Sequence, residues 1–169
     1  QVWQATFGDE LVLSVSLSSN QFNMPNLASQ LQQVMERHGL QGRQLEVEIG
    51  EDSLMHNLEA SAKQFKLLRA VGVRIALDDF GSGHCSLAHL RDLPFDTLKL
   101  DRQLVAGLPG SARDAAMARS IIELCGHFGV LVVAEGVETL EQAQWLKANG
   151  CPFVQGPWAA PPLMAGAVV

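Results

Sequence analysis

Acidic residues in this chain recur at the ends of short apolar runs. Glu46, Glu48 and Glu51 lie in or just beyond Leu45–Ile49, and Asp78 and Asp79 follow Val73–Leu77. Asp101 closes Thr97-Leu98-Lys99-Leu100-Asp101, and Glu135 and Glu138 follow Val130–Ala134. Carboxylates are hard oxygen donors, and a site rich in them suits Mg²⁺ or Mn²⁺ rather than zinc. Two such ions would activate water and neutralise a phosphodiester during in-line displacement. Adjacent carboxylates such as Asp78 and Asp79 repel each other unless a cation screens them. Lys99 sits within an apolar run, where a lysine is costly to bury without a partner or an anionic ligand.

Blander readings exist for single residues. Glu46 and Glu51 read as ordinary solvated strand-end residues, and Asp78-Asp79-Phe80-Gly81-Ser82-Gly83 reads as a turn. The five histidines are not at metal-ligand spacing with one another. His38 and His127 fall at helix C-termini, where a cation complements the helix dipole. His84 lies in the Gly-rich loop after Asp79 and reads as solvated.

Positioning these groups requires strands that end near one another. Six runs read as strands: Leu11–Leu17, Leu45–Ile49, Val73–Leu77, Thr97–Leu100, Val130–Ala134 and Phe153–Gln155. Between them, apolar residues take helical spacing. One stripe is Leu27, Leu31, Val34 and Met35, stopped by Gly39; another is Phe65, Leu68 and Val71, stopped by Gly72. Ile121, Leu124, Cys125 and Phe128 precede Gly129, and Leu140, Ala143 and Leu146 precede Asn149-Gly150. Strands alternating with helices predict an α/β fold with a parallel sheet. A doubly wound sheet would bring only neighbouring strands to a switch point. A barrel converges all its strand ends on one mouth, so acids on nearly every strand favour a TIM-like (β/α) barrel with about six of its usual eight strands.

At 169 residues, 47% hydrophobic and 18% charged, the chain can bury one substantial core and is not a disordered tail. A net charge of −6 argues against a nucleic-acid-binding surface. Cys85, Cys125 and Cys151 include no CxxC pair and read as reduced thiols of a cytoplasmic protein. No apolar run reaches the roughly 18 residues of a membrane span, and no signal peptide is recognisable. The chain opens at Gln1 in what reads as mid-domain sequence, so residues 1–169 are expected to be a single domain lacking its N-terminal strands.

The motifs Leu45-Glu46-Val47-Glu48-Ile49-Gly50-Glu51, Ala76-Leu77-Asp78-Asp79-Phe80-Gly81-Ser82-Gly83, Leu98-Lys99-Leu100-Asp101, Ala134-Glu135-Gly136-Val137-Glu138-Thr139 and Gln155-Gly156 occur in order. Together they resemble EAL-type cyclic-di-GMP phosphodiesterases over essentially the whole chain. The resemblance implies a bacterial TIM-like barrel that uses two Mg²⁺ or Mn²⁺ ions to linearise cyclic-di-GMP to pGpG. It implies that Glu48, Asp78, Asp79, Asp101 and Glu135 are metal-site acids, with Asp78 and Glu135 also serving catalysis. Lys99 would orient or activate the nucleophilic water, and Gln155 and Ser16 would lie at the substrate. Glu51 and Glu138 would brace the loop after Asp79, which also shapes a homodimer surface. Fused sensory or GGDEF-type domains are common companions in the family.

Departures accompany the resemblance. The family's Glu-Ala-Leu segment, with one metal-ligand glutamate, is absent. Ser16 stands where a metal-binding Asn is expected, and Gly50 replaces a Thr. His84-Cys85 replaces an aromatic-Ser pair, and Pro157 takes the place of a bulky residue. Three readings follow in order: a phosphodiesterase whose 169-residue piece is itself inactive, a degenerate receptor that binds cyclic-di-GMP without cleaving it, and a ligand-free dimerisation module.

Overall fold

The alternation in Leu13-Ser14-Val15-Ser16-Leu17 and Leu45-Glu46-Val47-Glu48-Ile49 suits strands whose two faces meet different surroundings. The computed structural model, which describes residues 11–55, 57–81 and 93–163, has this arrangement. Six parallel strands form one sheet in the order β1-β2-β3-β4-β5-β6. They are β1 (Leu13–Leu17), β2 (Leu45–Gly50), β3 (Arg74–Phe80), β4 (Thr97–Leu100), β5 (Leu131–Ala134) and β6 (Phe153–Val154). Strand order follows chain order without reversal, as in a barrel wall and unlike a doubly wound sheet. The sheet is not closed among the described residues, so β1 and β6 are its edges.

The connecting helices are α1 (Ser19–Phe22), α2 (Leu27–His38), α3 (Glu51–Met55), α4 (Leu58–Ala70), α5 (Arg102–Ala106), α6 (Ala112–Phe128) and α7 (Leu140–Ala148). Local chemistry sets several of their ends. The Ser18 and Thr139 side chains accept from the backbone N–H groups of Gln21 and Gln142, which reciprocate as capping boxes. Gly39 and Gly129 close α2 and α6 in the left-handed conformation expected of them. The expected stripes are narrower than their sequence pattern. Leu27 and Met35 are buried, but Val34, a third of a turn away, is exposed, as is Phe128 at the last residue of α6.

The core lies between the sheet and its helices. Val47, Ile49, Ile75, Leu77, Leu98 and Leu100 point outward from alternate strand positions. They are buried in one cluster with Phe65 and Leu68 of α4, Ile121 and Cys125 of α6, and Leu146 of α7. Phe22 and Phe65 meet edge to face at 5.7 Å. Cys125 and Cys151 are buried free cysteines. Burial pushes both thiols up to about 11, which keeps them protonated and unreactive. Cys85, His56, His84 and His89 lie outside the described residues.

Most strand ends fall within one residue of the sequence reading, and two differ by more. β1 begins at Leu13 rather than Leu11, and β3 continues past Leu77 through Asp78 and Asp79 to Phe80. The pair is therefore a strand end and not a free turn. Pairing between β3 and β4 shifts register between Leu77 and Phe80, where Asp79 adopts φ 56°. A bulge of this kind re-aims side chains at a sheet end, and a non-glycine residue in the left-handed region costs on the order of 1 kcal/mol.

Candidate metal centre

The inner sheet face is polar. Register places Ser14 beside Glu46 and Ser16 beside Glu48 on β1 and β2. Glu46 and Glu48 face Arg74 and Ala76 of β3, and Gly50 faces Asp78. Thr97 and Lys99 supply the same face from β4, by the period-two rule. Two levels result, a floor around Glu46 and a mouth around Lys99.

In the floor, Glu46 Oε2 accepts from the Thr97 hydroxyl at 2.7 Å and lies 3.8 Å from Arg74 Nε. Glu46 is buried, and so is Glu51, so neither is the solvated residue that its sequence position suggested. Sequence reasoning missed Ser14, Arg74 and Thr97 altogether. Their signal was present in the alternation of polar residues along β1, β3 and β4.

At the mouth, Lys99 Nζ lies 2.6 Å from Glu48 Oε1, 2.8 Å from Glu135 Oε1 and 4.0 Å from Asp78 Oδ1. Its side chain is only 7% exposed, so these partners answer the cost of its burial. Burial alone would favour the neutral amine, but hydrogen bonds to Glu135 and Glu48 outweigh it and raise the lysine above its ordinary value. Lys99 is thus a buried ammonium that donates to the Glu135 carboxylate and pairs with that of Glu48. For Glu48, burial acts upward, yet hydrogen bonds from Lys99, Ser14 and Ser16 hold the carboxyl below its usual value.

Asp78 behaves differently. Burial, followed by the charge of Glu135, pushes its carboxyl up to about 6, and the attraction of Lys99 only partly offsets this. Asp78, Asp79 and Glu135 each bring an oxygen within 4.8 Å of the others. One ammonium, 2.8 Å from Glu135 and 4.0 Å from Asp78, leaves this trio with excess negative charge, the condition that a divalent cation relieves. The donor set is all oxygen, which fits Mg²⁺, Mn²⁺ or Ca²⁺.

The other expected residues are placed around this trio. Asp101 is buried and caps α5, its Oδ1 accepting from Gln103 N–H at 2.6 Å. It lines a cavity of about 310 Å³ with Asp79, Gly50, Glu51 and Arg102. Glu51 Oε2 accepts from Gly81 N–H at 3.3 Å, at the start of the segment after Asp79. Glu138 is exposed, and its own N–H donates to Gln142 Oε1. The rest of the loop that Glu51 and Glu138 were expected to brace, residues 82–92, lies outside the described residues.

Gln155 is exposed, and its backbone joins Ala134 O and Val137 N–H. Gly156 makes this join close: at φ 148°, a Cβ there would strike the backbone of Val137. Gly156→Ala should therefore cost about 2–4 kcal/mol, read as a lowered urea midpoint with an unchanged slope.

Comparison with known proteins identifies the family. A family model described as EAL domain matches residues 1–162. The chain is 38% identical over 160 residues to the cyclic di-GMP phosphodiesterase NbdA of Pseudomonas aeruginosa, covering 95% of this chain and 20% of that protein. It is 37% identical over 144 residues to the bifunctional diguanylate cyclase/cyclic di-GMP phosphodiesterase MucR of the same organism, covering 85% and 21%. The chain thus spans about a fifth of the length of these curated relatives.

Among solved structures, the PaMucR phosphodiesterase in its c-di-GMP complex matches with a TM-score of 0.93 at 33% identity, over 99% of this chain and 68% of that one. A manganese/cy-diGMP complex of Klebsiella pneumoniae BlrP1 matches with a TM-score of 0.83 at 31% identity, over 92% and 40%. With six parallel strands in barrel order and acids gathered at their C-terminal ends, the chain belongs to the EAL domain family.

Proposed function

We propose that this chain is the catalytic portion of a cytoplasmic cyclic-di-GMP phosphodiesterase, whose parent protein hydrolyses one phosphodiester of the cyclic dinucleotide to give pGpG. The observation that carries the reading is the trio Asp78, Asp79 and Glu135, mutually within 4.8 Å beside the buried Lys99. These three acids would hold a divalent cation, Mg²⁺ or Mn²⁺, with Asp101 across the cavity from Asp79. Such a cation supplies charge neutralisation at the phosphodiester and a nucleophilic water at neutral pH.

The chain's own groups define the rest. Lys99 remains protonated, so it donates hydrogen bonds and offsets negative charge as phosphate oxygens approach. Glu135 fixes the ammonium at 2.8 Å and shares its carboxylate with the trio. Asp79 is aimed by the bulge of β3, and Gln155 stands exposed beyond β6 on the substrate side. Glu51 and Glu138 support the segment after Asp79, and with it a homodimer surface; sensory or GGDEF-type modules would occupy other parts of the parent.

The test is pGpG release by the parent protein with Mn²⁺ or Mg²⁺ and cyclic-di-GMP, followed by chromatography. Release that chelator abolishes, and that Glu135→Gln lowers at least about a hundredfold, is the expected result. Binding without release would sink the enzyme reading in favour of a receptor, a reading favoured by Ser16 at the expected Asn position. The isolated 169-residue chain, whose sheet is open among the described residues, is expected to release no pGpG.

A further inference from the structure

Glu135 stands at a bulge. Gln155 N–H donates to Ala134 O at 2.8 Å, and Gln155 O accepts from Val137 N–H at 3.0 Å. A regular parallel ladder leaves one residue between two such bonds, and here there are two, Glu135 and Gly136. The extra residue changes which face each side chain meets. A period of two would put Glu135 and Val137 on one face, yet Glu135 reaches Lys99 at the mouth while Val137 is buried in the hydrophobic core. Gly136 absorbs the change at φ 66°, in the left-handed region. The segment is pressed from both sides. A Cβ on Gly136 would stand 2.6 Å from Arg102 Cβ at the start of α5, and a Cβ on Gly156 would strike the backbone of Val137. Glu135 itself is tied to β4 by its N–H, which donates to Leu100 O at 3.1 Å.

We infer that Gly136 is a positioning residue for Glu135, and that Gly156 holds the same segment from the side of β6. Ordinary carbon contacts lie at about 3.5–4.0 Å, so an alanine at position 136 has to stand about 1 Å further from Arg102. The far end of a flexible side chain would yield cheaply. The obstacle here is a Cβ, fixed to the backbone of the residue that follows Asp101. Glu135 is joined to Gly136 by one peptide, so its carboxylate is carried away from Asp78 and Asp79. A displacement of about 1 Å is enough to spoil a site built from convergent groups. The device resembles the end of β3, where Asp79 takes the left-handed conformation at φ 56° beside a register shift. At β5 the left-handed position falls on the neighbour of the acid, and Arg102 occupies the space its Cβ would need. Two of the three acids are thus aimed by bulges. The inference rests on the divalent-cation reading of Asp78, Asp79 and Glu135.

Titration calorimetry with Mn²⁺ alone, on the full 169-residue chain at pH 8, reads the position of Glu135 apart from stability. Gly136→Ala, with its fold verified by circular dichroism, should weaken Mn²⁺ binding at least about tenfold. Arg102→Gly removes the opposing Cβ, so Gly136→Ala in that background should bind within about twofold of Arg102→Gly alone. Arg102→Ala keeps the Cβ and should give no such rescue, which separates space from the loss of the guanidinium charge. A glycine needed only for stability would lower the urea midpoint and leave the Mn²⁺ affinity of the folded chain at its wild-type value, and that result would overturn the inference. Weakening that Arg102→Gly does not relieve would overturn it as well. Should Gly136→Ala not fold, Gly156→Ala takes its place, with the same tenfold weakening expected and wild-type affinity as the contrary result. If the wild-type chain binds no Mn²⁺ at millimolar concentration, the cation reading itself fails, and the positioning role with it.

Discussion

Replacing Lys99 by Met is expected to destabilise the metal-free domain by roughly 3–5 kcal/mol, the usual cost of removing one partner from a buried ion pair. The ammonium is the charge common to Glu48, Glu135 and Asp78, at 2.6, 2.8 and 4.0 Å. Without it, three poorly solvated carboxylates face one another. Domains of this size are commonly stable by only about 5–15 kcal/mol, so a large part of the folding free energy is at stake.

The pH window follows from the directions of the shifts. Lys99 is raised above its ordinary 10.5, so its contribution is complete below that pH and fades as pH rises through the folded value. Glu48 is lowered from 4.5, so its contribution is complete above that pH and fades as pH falls through the folded value. The effect of Lys99→Met should therefore be largest between about pH 6 and 10 and shrink below pH 6, where protonation of Asp78 removes one of the stranded charges. Urea unfolding in chelator measures it; a loss below about 1 kcal/mol would show that solvent already screens the cluster. Adding Glu48→Gln should recover part of the loss, since the second change removes one of the stranded charges.

Asp78→Asn should act in the opposite sense. Because the folded protein raises Asp78 from 3.8 to about 6, the ionised carboxylate opposes folding. The penalty is absent below pH 3.8, grows between 3.8 and 6, and is constant above. Neutral Asn removes it, a gain on the order of 1–3 kcal/mol at pH 8 in chelator. The same change should abolish most of the stabilisation that Mn²⁺ or Mg²⁺ gives the wild type. A residue that weakens the empty fold and strengthens the loaded one is expected of a site selected for binding. Thermal melts with and without Mn²⁺ read both effects, and a variant that loses stability in chelator would contradict the charge argument.

These opposite effects mark what sequence could and could not reveal. Alternating strands and helices, the glycine stops at Gly39 and Gly129, and the ordered motifs made the parallel architecture legible. Asp78-Asp79 and Glu135 were legible as acids at strand ends, because convergence there follows from strand order alone. The direction each carboxylate takes was not. Asp101 turns to cap α5, and Glu48 is held by two hydroxyls from β1, a strand about 30 residues earlier. Such choices depend on strand register and on the bulge at Asp79, which no local pattern encodes. Glu46 misled for the same reason. It looked like a surface acid until Thr97 and Arg74 were brought beside it by pairing across three strands.

The most direct test of the cation centre is the anomalous difference map of a crystal of this domain soaked in Mn²⁺. The account predicts a peak bounded by carboxylate oxygens of Asp78, Asp79 and Glu135. A map with no manganese at that trio, or with manganese bound elsewhere while the three acids stay unligated, would contradict it.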